Sequence, residues 1–135
     1  MFFTLDKNTV MKKIWNTNNA PAPIGPYSQA VSAGNMLFLS GQICIEPSSG
    51  NLIQGSIEEE THQVMKNITA LLDEAGSSFE KVVKTSIFLM DMADFPRVNE
   101  VYGSYFSGNY PARETVQVAG LPKSVRVEIS MIALI

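Results

Sequence analysis

The chain has 135 residues, of which 45% are hydrophobic and 17% charged, a composition that predicts one compact domain and excludes a disordered chain. Its formal net charge of -3, with scattered basic residues, argues against a surface that tracks nucleic-acid phosphates. One cysteine, Cys44, and one histidine, His62, exclude an internal disulfide and leave a Cys/His zinc site without ligands within a single chain.

The apolar core of the N-terminal segment is too short for a secretory signal. No apolar run in the chain reaches the length of a membrane span. We therefore expect residues 1–14 to be an N-terminal extension, in part disordered, or a first strand. Residues 15–135 are predicted to form a single domain. The cytoplasm is the expected compartment, with an organelle presequence as the alternative.

Three prolines in APAPIGPYSQA, residues 20–30, predict an ordered entry loop without regular structure. The pair Gly34-Asn35 lies between two strand-like runs and predicts a tight hairpin turn. After Ser56 the apolar residues recur at the spacing of a helix rather than that of a strand, which predicts a first helix. Gly76 lies just past its last turn. The apolar positions of this first helix are Val64, Ile68, Leu71, Leu72 and Ala75.

Residues 81–90 predict a largely buried strand. Asp94 is predicted to cap a second helix, with Pro96 in its first turn. The apolar face of that helix is predicted to comprise Phe95, Val98, Tyr102, Tyr105 and Phe106. The order of strand, strand, helix, strand, helix, strand, strand predicts an α+β domain with both helices on one face of a mixed sheet.

Two final strands are predicted on either side of a turn at residues 121–124. In the last strand, one face is apolar, whereas the other mixes polar and apolar side chains and is either solvated or covered by another chain. If the apolar faces of both strands cover the helices, the same opposite side of the sheet carries Arg113, Thr115, Gln117 and Glu128.

Each candidate site residue also has a structural interpretation. Arg113 and Glu128 can form a salt bridge between neighbouring strands, and Tyr27 can fill space between loop and core. Ser40 can bond to the backbone, while Gly41 relieves a bulge. His62 is expected to be solvated, and Cys44 to be buried. The chain lacks the sequence motifs of common hydrolases, kinases and dinucleotide enzymes.

Several segments in order closely resemble the Rid family of reactive intermediate deaminases, also called the YjgF or L-PSP family. They are APIGPYSQA at 22–30, LFLSGQI at 37–43, the run at 84–106, and PAR followed by VAGLPKSVRVEISMIA. The resemblance implies a chorismate-mutase-like (ferredoxin-like) α+β fold assembled as a homotrimer, with sites in the clefts between subunits. It also implies that no cofactor or metal takes part.

The implied activity is that of a 2-iminobutanoate/2-iminopropanoate deaminase, which hydrolyses imines from pyridoxal-phosphate enzymes to 2-oxo acids and ammonia. Arg113 would grip the substrate carboxylate, and Glu128 would orient water and transfer protons. Thr115 stands where many members carry cysteine and is available as a hydrogen-bond partner. The resemblance further assigns pocket positions to Tyr27, Ser40, Gly41 and Asn99. The alternatives are an endoribonuclease and a non-catalytic regulatory protein that binds small carboxylates.

Overall fold

The computed structural model describes residues 12–135, and residues 1–11 of the predicted N-terminal extension lie outside it. The described residues form a six-stranded sheet with two α-helices packed on it. The strands are β1 Lys13–Trp15, β2 Ala30–Ala33, β3 Met36–Gln42, β4 Val82–Leu89, β5 Ala112–Gln117 and β6 Val127–Leu134. The helices are α1 Ile57–Glu74 and α2 Phe95–Gly103, and neither of these is long and apolar enough to cross a membrane.

The predicted α+β arrangement is confirmed, but the predicted adjacency of the last two strands is wrong. The strand order is β1-β2-β3-β6-β4-β5, so β6 lies between β3 and β4, and β5 is at the edge. β5 pairs in parallel with β4, while the other pairs are antiparallel. The physical reason is the intervening helix, because a strand–helix–strand unit returns the chain parallel to its first strand.

The prediction that Arg113 and Glu128 share one side of the sheet is also wrong. Arg113 pairs with Thr85, which is fully buried on the helix side, whereas Glu128 pairs with Phe88 on the outer face. Directly paired residues project from the same face of a sheet. The apolar Val116 suggested the reverse orientation of β5, yet its side chain is 42% exposed. The register with β4, rather than the apolar pattern of β5, determines the orientation.

Helix α1 is confirmed, and its first turn is closed by a capping box. The Ser56 hydroxyl accepts a hydrogen bond from the Glu59 amide at 3.1 Å, and the Glu59 carboxylate accepts one from the Ser56 amide at 2.8 Å. Such a cap typically contributes about 0.5–2 kcal/mol. At the other end, Gly76 has a φ of 70°, a left-handed conformation that glycine adopts without a side-chain clash.

Helix α2 is shorter than the sequence predicts. It ends at Gly103, after which the Tyr105 and Phe106 amides donate to carbonyls three residues back, tightening the last turn. Tyr105 and Phe106 therefore lie beyond the helix. Asp94 stands at the N-cap position, but its carboxylate accepts a hydrogen bond from the Arg97 guanidinium at 3.1 Å and makes no side-chain cap.

The core lies between the sheet and the helices, and β6 runs through its centre. The predicted alternation of β6 is confirmed, since its helix-facing side chains are at most 2% exposed. These residues are Val127, Ile129, Met131 and Ala133. The hairpin at Gly34-Asn35 is confirmed as well, with Gly34 at a φ of 60°.

Candidate functional site

Arg113 lies in an open cleft beside α2. This arginine cleft has a volume of about 600 Å³ and is lined by Asn99, Glu100, Tyr102, Gly103, Tyr110, Pro111 and Arg113. It opens between the C-terminal part of α2 and the start of β5. Arg113 is exposed, and its Nη1 donates a hydrogen bond to Asn99 Oδ1 at 2.6 Å. The remaining guanidinium donors therefore have access to a ligand in the cleft.

Glu128 lies in a second, narrow cleft on the outer face of the sheet. The two candidate residues beside it there are Tyr27 and Gly41, and the cleft has a volume of about 60 Å³. We call it the glutamate cleft. Burial raises the pKa of the half-buried Glu128 carboxyl above its ordinary value. Glu128 consequently keeps its proton to higher pH and, once ionised, is a stronger base than an exposed glutamate.

Gly41 allows Glu128 to approach the backbone of β3. A Cβ atom placed on Gly41 would lie 2.2 Å from Glu128 Oε2 and 2.8 Å from its Cδ, distances that no real side chain tolerates. The register of β3 against β6 shifts between Leu39 and Gln42, a stretch that contains Gly41 and agrees with the structural interpretation of this glycine. The absence of a side chain on Gly41 thus leaves room for the Glu128 carboxylate beside the irregular part of β3.

The entry loop that carries Tyr27 is held by one buried side chain, Gln29. Its Oε1 accepts a hydrogen bond from the Thr17 amide at 2.7 Å, and its Nε2 donates to the carbonyls of Ala20 and Pro21 at 3.2 and 2.9 Å. Tyr27 itself is 48% exposed, and its hydroxyl accepts a bond from the Ile24 amide at 3.3 Å. The exposed Tyr27 ring is accessible to a ligand and does not fill a space between the loop and the core.

Ser40 and Thr115 lie apart from both clefts. The Ser40 hydroxyl donates to the Ser28 carbonyl at 2.6 Å, which confirms the structural interpretation of this residue. Thr115 Oγ1 is buried without a hydrogen-bond partner in the described chain, and it lies on the same face of β5 as Arg113. A buried hydroxyl left unpaired costs free energy.

The two clefts share no lining residue. Arg113 and Glu128 lie on opposite faces of the sheet, and in residues 12–135 they form no salt bridge with each other. The cross-strand ion pair considered from the sequence is therefore wrong for the single chain. The arrangement offers a cation able to bind a carboxylate in one place and a carboxyl group able to exchange a proton in another.

An ion pair that the sequence analysis missed fixes the start of β6, two residues before Glu128. The fully buried Glu60 carboxylate accepts hydrogen bonds from Arg126 Nε at 2.8 Å and from the Arg126 amide at 2.7 Å. The signal was present in α1, because Glu60 is four residues before the core residue Val64 and so lies on the buried face. The first-turn acidic residues had suggested only a favourable helix dipole.

Cys44 and His62 take the positions expected of them. Cys44 is fully buried, and His62 is exposed, with its Nδ1 2.9 Å from the Tyr105 hydroxyl. The described part of the chain contains no group of three or more His, Cys, Asp or Glu residues that could hold a metal ion.

We expect the Cys44 thiol to be unreactive towards a thiol reagent at neutral pH in the folded protein and to react on unfolding. Burial, reinforced by the nearby Glu60 charge, raises its pKa from 9.0 to about 11. The folded chain then binds the proton more tightly than the unfolded chain, so the free energy of unfolding should fall as pH rises between these values. Thiol labelling and denaturant titrations at several pH values measure both effects, and a Cys44→Ala variant should show a shallower alkaline slope. Rapid labelling of the native protein would contradict this expectation.

Comparisons with known proteins agree over nearly the whole chain. A family model described as endoribonuclease L-PSP matches residues 17–135. The RutC family protein of Pyrococcus horikoshii is 51% identical, over 91% of this chain and 98% of its own. The 2-iminobutanoate/2-iminopropanoate deaminase of Mus musculus is 48% identical, over 94% of each chain. A Rid-family structure from Yersinia pestis has a TM-score of 0.90 and 47% identity, covering 93% of this chain and 100% of that one. The chain therefore belongs to the Rid family, also described as the endoribonuclease L-PSP family.

Proposed function

We propose that this protein is a 2-iminobutanoate/2-iminopropanoate deaminase, which hydrolyses 2-imino acids to 2-oxo acids and ammonia. The observation that carries the proposal is Arg113, an exposed guanidinium already oriented by Asn99 at the wall of a cleft large enough for a small acid. The mouse relative that bears this name is 48% identical, which supports the same chemistry.

In this mechanism, two parallel hydrogen bonds from Arg113 bind the planar carboxylate of the imino acid. Water adds to the C=N carbon, and Glu128 takes its proton as the tetrahedral adduct forms. Because the imine enters protonated, returning this proton to the nitrogen of the adduct makes neutral ammonia the leaving group. The C–N bond then breaks as the adduct hydroxyl gives its proton to Glu128 and becomes the C=O group, and ammonia and the 2-oxo acid leave. Water is the co-substrate, and neither a metal nor a cofactor is required. Tyr27 is proposed to contact the bound acid, since it lines the glutamate cleft and its side chain is exposed.

We further propose that the protein works as a cytoplasmic homotrimer, in which the arginine cleft of one subunit faces the glutamate cleft of the next. Support comes from Arg113 and Glu128, which lie on opposite faces of the sheet of one chain. β5 pairs only with β4 in the described sheet, so β5 is an edge strand and Arg113 lies at the edge of the sheet. The outer face also exposes apolar side chains that a neighbouring subunit can cover, namely Phe38, Val116 and Leu134.

The test is a coupled assay in which a threonine dehydratase generates 2-iminobutanoate and semicarbazide competes for it. The deaminase proposal predicts that the wild-type protein suppresses semicarbazone formation and accelerates release of 2-oxobutanoate. If it does neither yet binds 2-oxobutanoate, the protein is a carboxylate-binding regulator. An RNA-cleaving activity would instead favour the endoribonuclease alternative, provided that it copurifies with the wild-type protein and is lost in the Arg113→Ala variant.

We expect two inactive variants, Arg113→Ala and Glu128→Gln, to restore activity when their subunits are mixed. Refolding an equimolar mixture should place an intact Arg113 beside an intact Glu128 at about a quarter of the interfaces of a cyclic trimer. Activity should therefore recover to about a quarter of the wild-type value. Each variant refolded alone is the control. Lack of recovery in trimers shown to be mixed would contradict a site shared between subunits.

A further inference from the structure

Three residues on one face of α2 meet the Arg113 side chain. Phe95, Asn99 and Tyr102 follow one another at spacings of four and three residues, so their side chains lie in one row along the helix. The helical spacing in the sequence predicts that Phe95 and Tyr102 belong to the apolar face that packs on the core. The row, however, is directed at the edge strand that carries Arg113.

The guanidinium lies near the faces of two aromatic rings. Arg113 Cζ is 5.3 Å from the centroid of the Phe95 ring and 5.1 Å from that of Tyr102, both within the range of cation–π attraction. We call these two rings the aromatic shelf. Asn99, between them in sequence, accepts the hydrogen bond that fixes rotation of the guanidinium.

Tyr102 is held by the strand next to Arg113. Its hydroxyl donates to Thr85 Oγ1 at 3.0 Å, and both residues are buried. Thr85 is in turn the direct partner of Arg113 in the β4–β5 register. The ring and the guanidinium therefore take their positions from the same point of the sheet.

We propose that Phe95 and Tyr102 are positioning residues, which hold the plane of the Arg113 guanidinium ready to bind a carboxylate with two parallel hydrogen bonds. An unsupported arginine on an edge strand samples many rotamers, and ordering it on binding costs free energy. The aromatic shelf lowers that cost before the ligand arrives. Because rings attract the face of a guanidinium, its edge with the N–H donors stays available. The ligand class rests on the proposed function, but the ordering of Arg113 does not.

The test compares Phe95→Leu, which keeps apolar volume and removes the ring, with the matched control Phe79→Leu. Phe79 packs against Tyr105 and Phe106 and is not one of the two rings beneath Arg113. It reaches the aromatic shelf only through Phe106, whose ring centroid lies 4.9 Å from that of Tyr102. Phe95→Leu should raise the Kd for 2-oxobutanoate and the KM for the imine about 2- to 5-fold, with kcat nearly unchanged. Tyr102→Leu is a second removal of a ring, and Tyr102→Phe should restore most of the affinity.

Two further readouts separate positioning from general stability. Nuclear magnetic resonance relaxation of the Arg113 Nε–H group, measured without ligand, should show greater mobility in Phe95→Leu than in the wild type or Phe79→Leu. In an Arg113→Ala background, Phe95→Leu should leave the weak Kd for 2-oxobutanoate unchanged, since the group that it positions is gone.

An unchanged Arg113 mobility together with an unchanged Kd in both ring variants would overturn the proposal. So would an equal loss of affinity with and without Arg113, which would indicate a structural effect. If Arg113 becomes mobile as expected while the wild-type protein hydrolyses no imine, the aromatic shelf stands and the proposed enzymatic function fails.

Discussion

Replacing Arg113 with alanine is expected to lower kcat/KM for 2-iminobutanoate by at least about 100-fold, since a charged, bidentate partner of the substrate carboxylate is lost. Arg113→Lys should recover little of this, because an ammonium group cannot reproduce the two parallel hydrogen bonds or stack on the aromatic shelf. The semicarbazide-coupled assay measures the rates, and a binding titration with 2-oxobutanoate measures the affinity.

Arg97→Ala is the matched control for this loss. Arg97 is exposed, as Arg113 is, but it lies on α2. It forms surface ion pairs with Glu58 and Asp94 outside both clefts. Such pairs contribute little to stability, so the control should retain full activity. An Arg113→Ala protein that folds and turns over imine at the wild-type rate would contradict the role of Arg113 and with it the proposed function.

Gly41→Ala is expected to lower kcat about 100-fold or more while changing the melting temperature only slightly, because it displaces Glu128, the proposed general base. The new Cβ would lie 2.2 Å from Glu128 Oε2, so the carboxylate has to move. The displaced atoms are at the end of a flexible side chain, which limits the cost in stability. Steady-state kinetics and thermal unfolding of the same preparation measure the two effects.

Gly120→Ala is the control for a glycine that meets no obstacle, because a Cβ there has nothing within 4 Å. It should leave both rate and melting temperature unchanged. Combining Gly41→Ala with Glu128→Gln should cost no more activity than Glu128→Gln alone, since both changes remove the same proton acceptor. A fully active Gly41→Ala enzyme would show that the observed seat of Glu128 is not needed for catalysis.

Local patterns in the sequence predicted the elements well. The helical spacing around Val64, the glycine past the end of α1 and the alternation along β6 each depend on residues close in the chain. Strand order is different, since pairing joins segments distant in sequence and is decided by the whole sheet. The insertion of β6 between β3 and β4 was missed for that reason, although the β4–α2–β5 unit indicated parallel pairing.

Five of the seven residues predicted for the site line one or the other cleft, whereas Ser40 and Thr115 line neither, and the arrangement of the clefts was not predicted. Family motifs identified Arg113 and Glu128, whereas only the register of β4 with β5 reveals that they occupy opposite faces. The ring positions Phe95 and Tyr102 were assigned to the core because burial and support of a charged group require the same helical spacing. Glu60 was missed because a fully buried carboxylate is rare unless it is paired.

The separation of the two clefts on one chain has a consequence for how such a protein can diversify. Because the clefts share no residue, mutation can retune one without disturbing the packing of the other. Under the proposed function, a descendant that loses Glu128 and keeps the arginine cleft would still bind small carboxylates but would lose proton transfer. Under the same proposal, a descendant altered in the arginine cleft alone would keep Glu128 and change the ligands that it binds. Recognition and chemistry can thus be inherited as separable traits of a single small domain.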